Sequence, residues 1–598
     1  MHLDGPAGLG HAALHTTPDS SAAPQPLGDE AGLHWMTFDG RLDNRDEILH
    51  ALDAPVDRAA ADARLVLAAY ARWGERAIER LIGDFAFALW DAPNRRLVCA
   101  RDALGIRPFY YRLEDDVFWC ASELQALLAL EGMRARVRPN EGFLGEHVAA
   151  RPVQLEETVF SGILRLPAAH LLIVEPSRAR KRRYWEPAAL DLSCRTDGEY
   201  AERFLDVLDR AVACRLRAPA PVGAHLSGGL DSSSVVALAA SRPAADLAPP
   251  LETLSLEFPG KPYDEREYID AMIAHAGVRA HLLRGGDLDP GLLTASADRS
   301  RDLPDAPTGE AMLQPLVDAA RARGIRVILT GVGGDEWLQG SEFYYADLIR
   351  RGQWGTLVRL LRAAPAGSPV DRTLRLVLAA GVRPLLPLVA RRAVRRLLGR
   401  TLVPAWIEPS FARRVGLDDR LRPPDPSPWR GSYARADVRR QLESGWEALM
   451  KEQLERGAAA CGVEYRHPFY DRRLVEFALA LPEEQRQRAD VGKVVLRRAL
   501  AGRLPDAVRR RTSKVHYSAL YFEALEALGG EACFSNMAIA GLGWVRGDRV
   551  RRLYRAAAES ARAGDTRYEV QMISLWAIWS VERWVRANMG HNGGAPWG

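Results

Sequence analysis

Apolar and polar positions follow two rhythms along this chain. Over the first 190 residues, runs such as HWMTFDGRLDN (34–44) and RRLVCARDALGIRPFYY (95–111) alternate, and they are rich in aromatic and β-branched types. A period of two predicts strands, with helices expected near 60–80 and 122–131. The stretch EPAALDLSCRTDGEY (186–200) shifts in composition and reads as a linker into a helix over 198–217. From there β-like runs alternate with helical ones: PVGAHL before a helix at 231–241, ETLSLEF before one at 265–277, then RAHLL, a helix at 309–323 and IRVILT. That alternation predicts a parallel, doubly wound sheet with its ligand at the carboxyl ends of the strands. Residues 341–450 read as a helical insert rich in Arg and Leu, and the final HNGGAPWG as disordered.

Two loops in the second region carry the chemistry. In LSGGLDSSSV (226–235) a strand ends in Ser-Gly-Gly and opens a helix, which presents backbone N–H groups to an anion. Gly228 and Gly229 allow the tight turn and a close approach to ligand. Ser227, Ser232 and Ser233 offer hydroxyls to phosphate oxygens, and Asp231 can carry magnesium. No Gly-Lys-Ser/Thr lies nearby, so this is not a Walker loop. About 100 residues on, TGVGGDE (330–336) ends another strand in a glycine turn, where Thr330, Gly331 and Gly333 lead to Asp335. Asp231 and Asp335 at two strand ends suit magnesium, which keeps few protein ligands beside phosphate oxygens and water. The bland alternatives are a capped glycine turn and a solvated acidic loop; the pairing of the two loops argues against both.

The first loop resembles the pyrophosphate loop of the ATP pyrophosphatases. FDGRLDNRDEIL (38–49), GDFAFALWD (83–91), ARDALGIRPFYY (100–111), ASELQALL (121–128), VFSGILRLPAAHLLIV (159–174) and RYW (183–185) look like the glutaminase domain of asparagine synthetases. GVEYRHPFYDRRLVEFALALP (462–482) and GKVVLRRAL (492–500) match that superfamily's C-terminal helical signature. The resemblance implies an α+β, N-terminal-nucleophile-like αββα sandwich over 1–190. It implies an α/β doubly wound ATP-pyrophosphatase domain with a helical extension over 191–598. It also implies ATP and magnesium as cofactors, with Leu226 and Leu256 at the nucleotide. Glu464 would approach the reacting amine, Lys493 would neutralise the phosphates, and Lys514 is a weaker phosphate candidate. Glu464 as a salt-bridge partner of Arg466 or Arg472, and Lys493 as a solvated lysine, remain open alternatives.

The departures from that pattern narrow the function. The superfamily's nucleophilic second-position cysteine is His2 here, and its glutamine-clamping Asn-Gly-Glu is Asp39-Gly40-Arg41, although Asp84 is retained. An imidazole cannot form the thioester, so the glutaminase is expected to be degenerate, with the amine supplied by the substrate. Val332 stands where asparagine synthetases carry an acid and β-lactam synthetases a tyrosine. Length, insert and signature look most like lasso-peptide cyclases. Those adenylate a Glu or Asp side chain of a core peptide and close a macrolactam with its N-terminal amine. A precursor peptide, a leader peptidase and a leader-recognition protein are the partners this implies. A β-lactam-synthetase-like enzyme, an ammonia-using amidotransferase and a non-catalytic scaffold are the alternatives.

Composition adds bounds. At 598 residues, two to four domains are expected; 47% hydrophobic and 26% charged residues fit a globular protein. The net charge of +4 gives no reason to expect nucleic acid as a partner. Six scattered cysteines, with no CxxC pair, suggest a reducing cytoplasm. The first residues lack a signal-peptide pattern. The apolar run from Leu374 to Ala390 is broken by Arg and Pro, so no membrane association is expected.

Overall fold

The computed structural model describes residues 1–589, except 54–56, 58, 189, 220, 243–249, 287, 363–373, 398–400, 425–426, 489–490, 514 and 566. Lys514 and the HNGGAPWG segment therefore lie outside the described residues.

In the first 190 residues two antiparallel sheets face each other. The larger runs in the order Arg178–Arg183, His170–Glu175, Arg96–Arg101, Gly83–Asp91, His34–Leu42 and Leu27–Gly28. The smaller pairs Leu164–Arg165, Tyr110–Glu114 and Val117–Ala121. Strand alternation sets the layers. Phe85, Phe87 and Leu89 pack with Leu65, Val66 and Ala69 of the helix Asp62–Trp73. Ala86, Ala88 and Trp90 meet Cys99, Tyr111 and Leu172 between the sheets. On the far side, Tyr110 joins a core with Phe143, Leu144 and Trp584, the last from the C-terminal helix Tyr568–Met589. The helix–sheet–sheet–helix layering thus borrows its outer layer partly from the second domain.

The second domain is built on a parallel sheet in the order Arg279–Arg284, Glu252–Glu257, Val222–His225, Val327–Leu329 and Glu464–Arg466. Chain direction reverses its progress across the sheet between Val222–His225 and Val327–Leu329. That crevice is the switch point where α/β sheets bind ligands, and the loops after these two strands are the Ser-Gly-Gly and Gly-Gly-Asp turns. The expected helices are Asp197–Arg215, Leu230–Ala240, Arg266–Ala276 and Glu310–Ala322. A full capping box at Thr196 and Glu199 fixes the start of the first.

One reading needs correction. The signature beginning GVEYRHPF is not helical at its start, because Glu464–Arg466 is the last strand of the sheet, paired with Val327–Leu329. Val463 and Tyr465 are buried with Ile325, Ile328 and Ala458, and this packing holds the segment extended. The insert is helical as expected, with Tyr344–Arg350, Trp354–Arg362, Leu388–Leu397 and Tyr433–Leu442 among its elements. No helix among the described residues is long and apolar enough to cross a membrane.

Candidate active site

The crevice opens into a cavity of about 570 Å³. Ser227, Gly229, Asp231 and Ser232 line it from the first loop; Thr330, Gly331, Val332 and Asp335 line it from the second, and Lys493 closes one side. Gly228, at φ +77°, makes the turn, and a Cβ there would sit 2.8 Å from Tyr268 Cβ. Within the loop, Ser227 Oγ and Ser232 Oγ are 2.9 Å apart, and the Ser227 N–H donates to Ser232 Oγ at 3.2 Å. The turn is therefore pre-formed.

The two loops touch through glycine. A Cβ on Gly331 would lie 2.5 Å from the Ser232 nitrogen, and one on Gly334 would lie 2.5 Å from Asp231 Cγ. Only bare backbone lets the two strand ends approach this closely, and this is what brings Asp231 and Asp335 together. Both carboxylates converge on the Lys493 ammonium, Asp335 at 2.6 Å and Asp231 in direct contact. Lys493 itself takes a left-handed backbone, φ +55°, at the start of the helix Val494–Ala499. Burial works against its charge, but Asp231 and Asp335 prevail and raise its pKa above the ordinary lysine value. Two hard oxygen donors already gathered on one cation fit magnesium, and a magnesium ion there would share the neutralisation of phosphate charge with Lys493.

Leu226 and Leu256 stand behind the wall. Leu226 is buried and its N–H donates to the Leu254 carbonyl at 3.0 Å. Leu256 packs with Phe258, Val515 and Tyr517, and the last two line the cavity. Gly333, at φ +104°, packs on Phe469 and Tyr470.

Glu464 is the exception. It does not line the cavity; its side chain is fully buried between the two domains. Arg107 meets it at 2.7 Å, Arg466 at 2.9 Å and Arg41 at 3.2 Å. Burial alone would raise its pKa, but Arg466, Arg107 and Arg41 hold it far below the carboxylate range. Such a group is a permanent anion, neither base nor acid. Of the alternatives left open by the sequence, the ion pair with Arg466 is the one present. The same cluster takes in the Asp39-Gly40-Arg41 segment: Arg41 also meets Asp84 at 2.7 Å and Asp43 at 3.1 Å. His2 lies in a short hairpin and stacks on Trp35, ring centroids 3.5 Å apart.

The cavity also contains groups that the sequence reading missed. Glu336 lines it, and burial, then Glu447, Asp335 and Asp231, push its carboxyl up to about 7. His225 ends the strand before the Ser-Gly-Gly turn and lines the cavity; its buried Nε2 has no partner among the described residues. Burial drops its pKa to about 4, so the ring is neutral. A signal was available, since His225 is the one polar residue in PVGAHL. Arg511 and Tyr517 add a wall anchored on Glu265.

The asparagine synthase family matches residues 203–586, and a glutamine amidotransferase domain matches residues 1–185. The chain belongs to the asparagine synthase family. It is an enzyme of the ATP-dependent, amide-forming ligase class. Asparagine synthetase [glutamine-hydrolyzing] 3 of Bacillus subtilis is 26% identical over 524 residues, covering 84% of this chain and 78% of its own length. Putative asparagine synthetase [glutamine-hydrolyzing] 2 of Methanocaldococcus jannaschii is 28% identical, covering 61% of this chain and 73% of its own. Amidase chyE of Penicillium rubens is 29% identical, and this chain spans 52% of its length.

Proposed function

We propose that this member of the family is a peptide macrolactam synthetase of the lasso-peptide cyclase kind. In that reading it adenylates a Glu or Asp side chain of a core peptide and directs the peptide's own N-terminal amine onto it. The observation that carries this is Arg41. Where relatives clamp glutamine, its guanidinium is spent on Asp43, Asp84 and Glu464. With its guanidinium held in that cluster, the first domain would lack the clamp and would supply no ammonia. The amine must come with the substrate, and the first domain's role becomes structural.

The chemistry then follows from the cavity. A substrate carboxylate attacks the α-phosphorus of ATP, and pyrophosphate leaves toward the N–H groups of the Ser227–Ser232 turn. Adenylation is needed because a carboxylate is inert to amines. Lys493 and the helix N-terminus offset the negative charge that builds on the departing phosphates. The amine, neutral in useful fraction because its pKa is about 8, attacks the acyl carbonyl and AMP leaves. Val332 cannot orient that amine and Glu464 is outside the cavity. His225, whose neutral ring lines the cavity, would accept a hydrogen bond from the amine N–H; at a pKa of about 4 it would orient the amine without holding its proton, which would pass to solvent. Holding a threaded peptide tail folded before closure is a binding task that the helical wall of the second domain suits. A leader peptidase and a leader-recognition protein would present the freed amine.

The test is mass spectrometry of a leader-free core peptide incubated with enzyme and magnesium ATP, beside an Asp231→Ala control. A product lighter by one water, formed with AMP and absent from the control, supports the reading. AMP formation with a free amino acid or ammonia, and none with any peptide, would move the assignment to a small-molecule amide synthetase.

A further inference from the structure

The helical insert presents a surface that neither the fold nor the active site uses. Eight of the seventeen exposed large hydrophobic side chains among the described residues fall between positions 354 and 394. Trp354 is 58% exposed and Val389 79%. Their spacing is not scattered. Trp354 and Val358 lie one helical turn apart, and Leu374, Leu378 and Val382 continue at intervals of four, so each set shares a face. On Leu388–Leu397, Leu388, Val389 and Val394 are exposed.

The charge is as concentrated as the apolar surface. Residues 351–400 contain eleven arginines and one acid, Asp371, a formal +10 within a chain whose total is +4. The rest of the chain is therefore net −6, and the whole-chain sum conceals the patch. Every cation in it is arginine, whose planar fork pairs with phosphate.

We infer that this insert is a docking surface for an anionic lipid bilayer. Aliphatic side chains and one Trp would enter the headgroup boundary while arginines engage lipid phosphates, as interfacial amphipathic helices do. Charge complementarity identifies the occupant: an arginine-only, nearly acid-free stretch of sequence calls for a dense anion. The shape favours lipid over a folded acidic partner. The exposed side chains stand on successive short helices and line none of the described cavities, and a fluid interface conforms to such relief. The surface is also tied to the active site. Gly381 packs so closely on Ile349 and Tyr345 that a Cβ would lie 3.0 Å and 3.2 Å from them. Those residues belong to Tyr344–Arg350, the helix that follows the Asp335 turn. Docking would hold the cavity near a membrane, where an apolar or exported product could be handed over.

The experiment is co-sedimentation of the full chain with sucrose-loaded vesicles of phosphatidylcholine alone and of phosphatidylcholine with about one third phosphatidylglycerol. Anionic vesicles should bind at least about tenfold more tightly, and binding should weaken but persist as salt rises through the range that screens surface charge. The Trp354→Ser/Val389→Asp pair, at exposed positions that leave the melting temperature unchanged, should lower binding about fivefold or more. Arg359→Gln/Arg362→Gln should flatten the salt dependence. Should the first pair misfold, Val358→Ser is the substitute. The inference is overturned by equal partition into neutral and anionic vesicles. It is equally overturned by apolar variants that bind as well as the parent, or by a chain that ignores vesicles and binds an acidic amphipathic peptide instead.

Discussion

Two charge clusters lie at opposite ends of the same parallel sheet, one beyond the carboxyl ends of Val222–His225 and Val327–Leu329 and the other at the amino end of Glu464–Arg466, and they behave in opposite ways. At the cavity, Asp231 and Asp335 share Lys493 beside a solvent-reaching space. Between the domains, Glu464 shares Arg41, Arg107 and Arg466 with no space at all. Both use acids against bases at hydrogen-bond distance. The difference is accessibility: charges that can exchange partners with ATP phosphates and a metal can do chemistry, while charges buried and mutually satisfied can only hold parts together. Arg101 and Arg165 on Glu452, and Lys451 on the Leu104 carbonyl, extend the second cluster along the domain interface. The N-terminal domain is thereby fixed to the second domain by buried ion pairs.

The sharpest way to break this comparison is to neutralise Glu464. Glu464→Gln leaves three buried guanidiniums short of one anion, and should cost about 3–5 kcal/mol of stability, read by urea unfolding. A Glu464→Gln protein that melts like the parent yet forms no amide would restore the residue to a catalytic role. At the cavity the signature should invert. Asp231→Asn should lower AMP formation by about 10²–10³-fold, with little change in melting temperature. A smaller loss, about 10²-fold in turnover, is expected for Lys493→Met, accompanied by tighter apparent magnesium dependence because Asp231 and Asp335 lose their shared cation.

The smallest effect per residue is set by pH. Burial depresses His147 and His225 to about 4, and His467 to about 3 with Arg215 and Arg41 adding to burial. Unfolded histidines take up protons near 6.5, so the unfolded chain binds more protons below that value and stability falls as pH drops toward 4. By pH 5 each histidine should cost about 2 kcal/mol relative to neutrality. Urea midpoints at pH 7 and pH 5 give the net of this loss and the opposing gain as the raised carboxyls of Glu336 and Glu455 take up protons, and the difference between the parent and His225→Leu isolates the share of His225. An unchanged slope in that variant would mean the ring is not held neutral.

Much of this was legible in the chain. The loops 226–235 and 330–336 announced two strand–turn–helix glycine turns that line one cavity, because glycine, serine and acid at those spacings have few other uses. The βα alternation after residue 191 implied a parallel sheet, since period and helix length are local properties. Glu464 shows where such reading stops. EYRHPF marks a family segment, but a local pattern cannot say that a strand will aim its carboxylate at Arg41 and Arg107, more than 350 residues away in sequence. His225 was passed over for the converse reason: a lone histidine in a strand is ordinary until the neighbouring loops leave its ring beside a cavity.

The sequence by itself thus determined the elements and the two glycine turns that line the cavity, because each depends on residues near one another in the chain. Tertiary structure alone decided which acids face the cavity and which are locked between the domains, because burial and partner choice are properties of the packed domains. It also exposed the apolar face of the insert, whose arginines vanish in a whole-chain charge of +4.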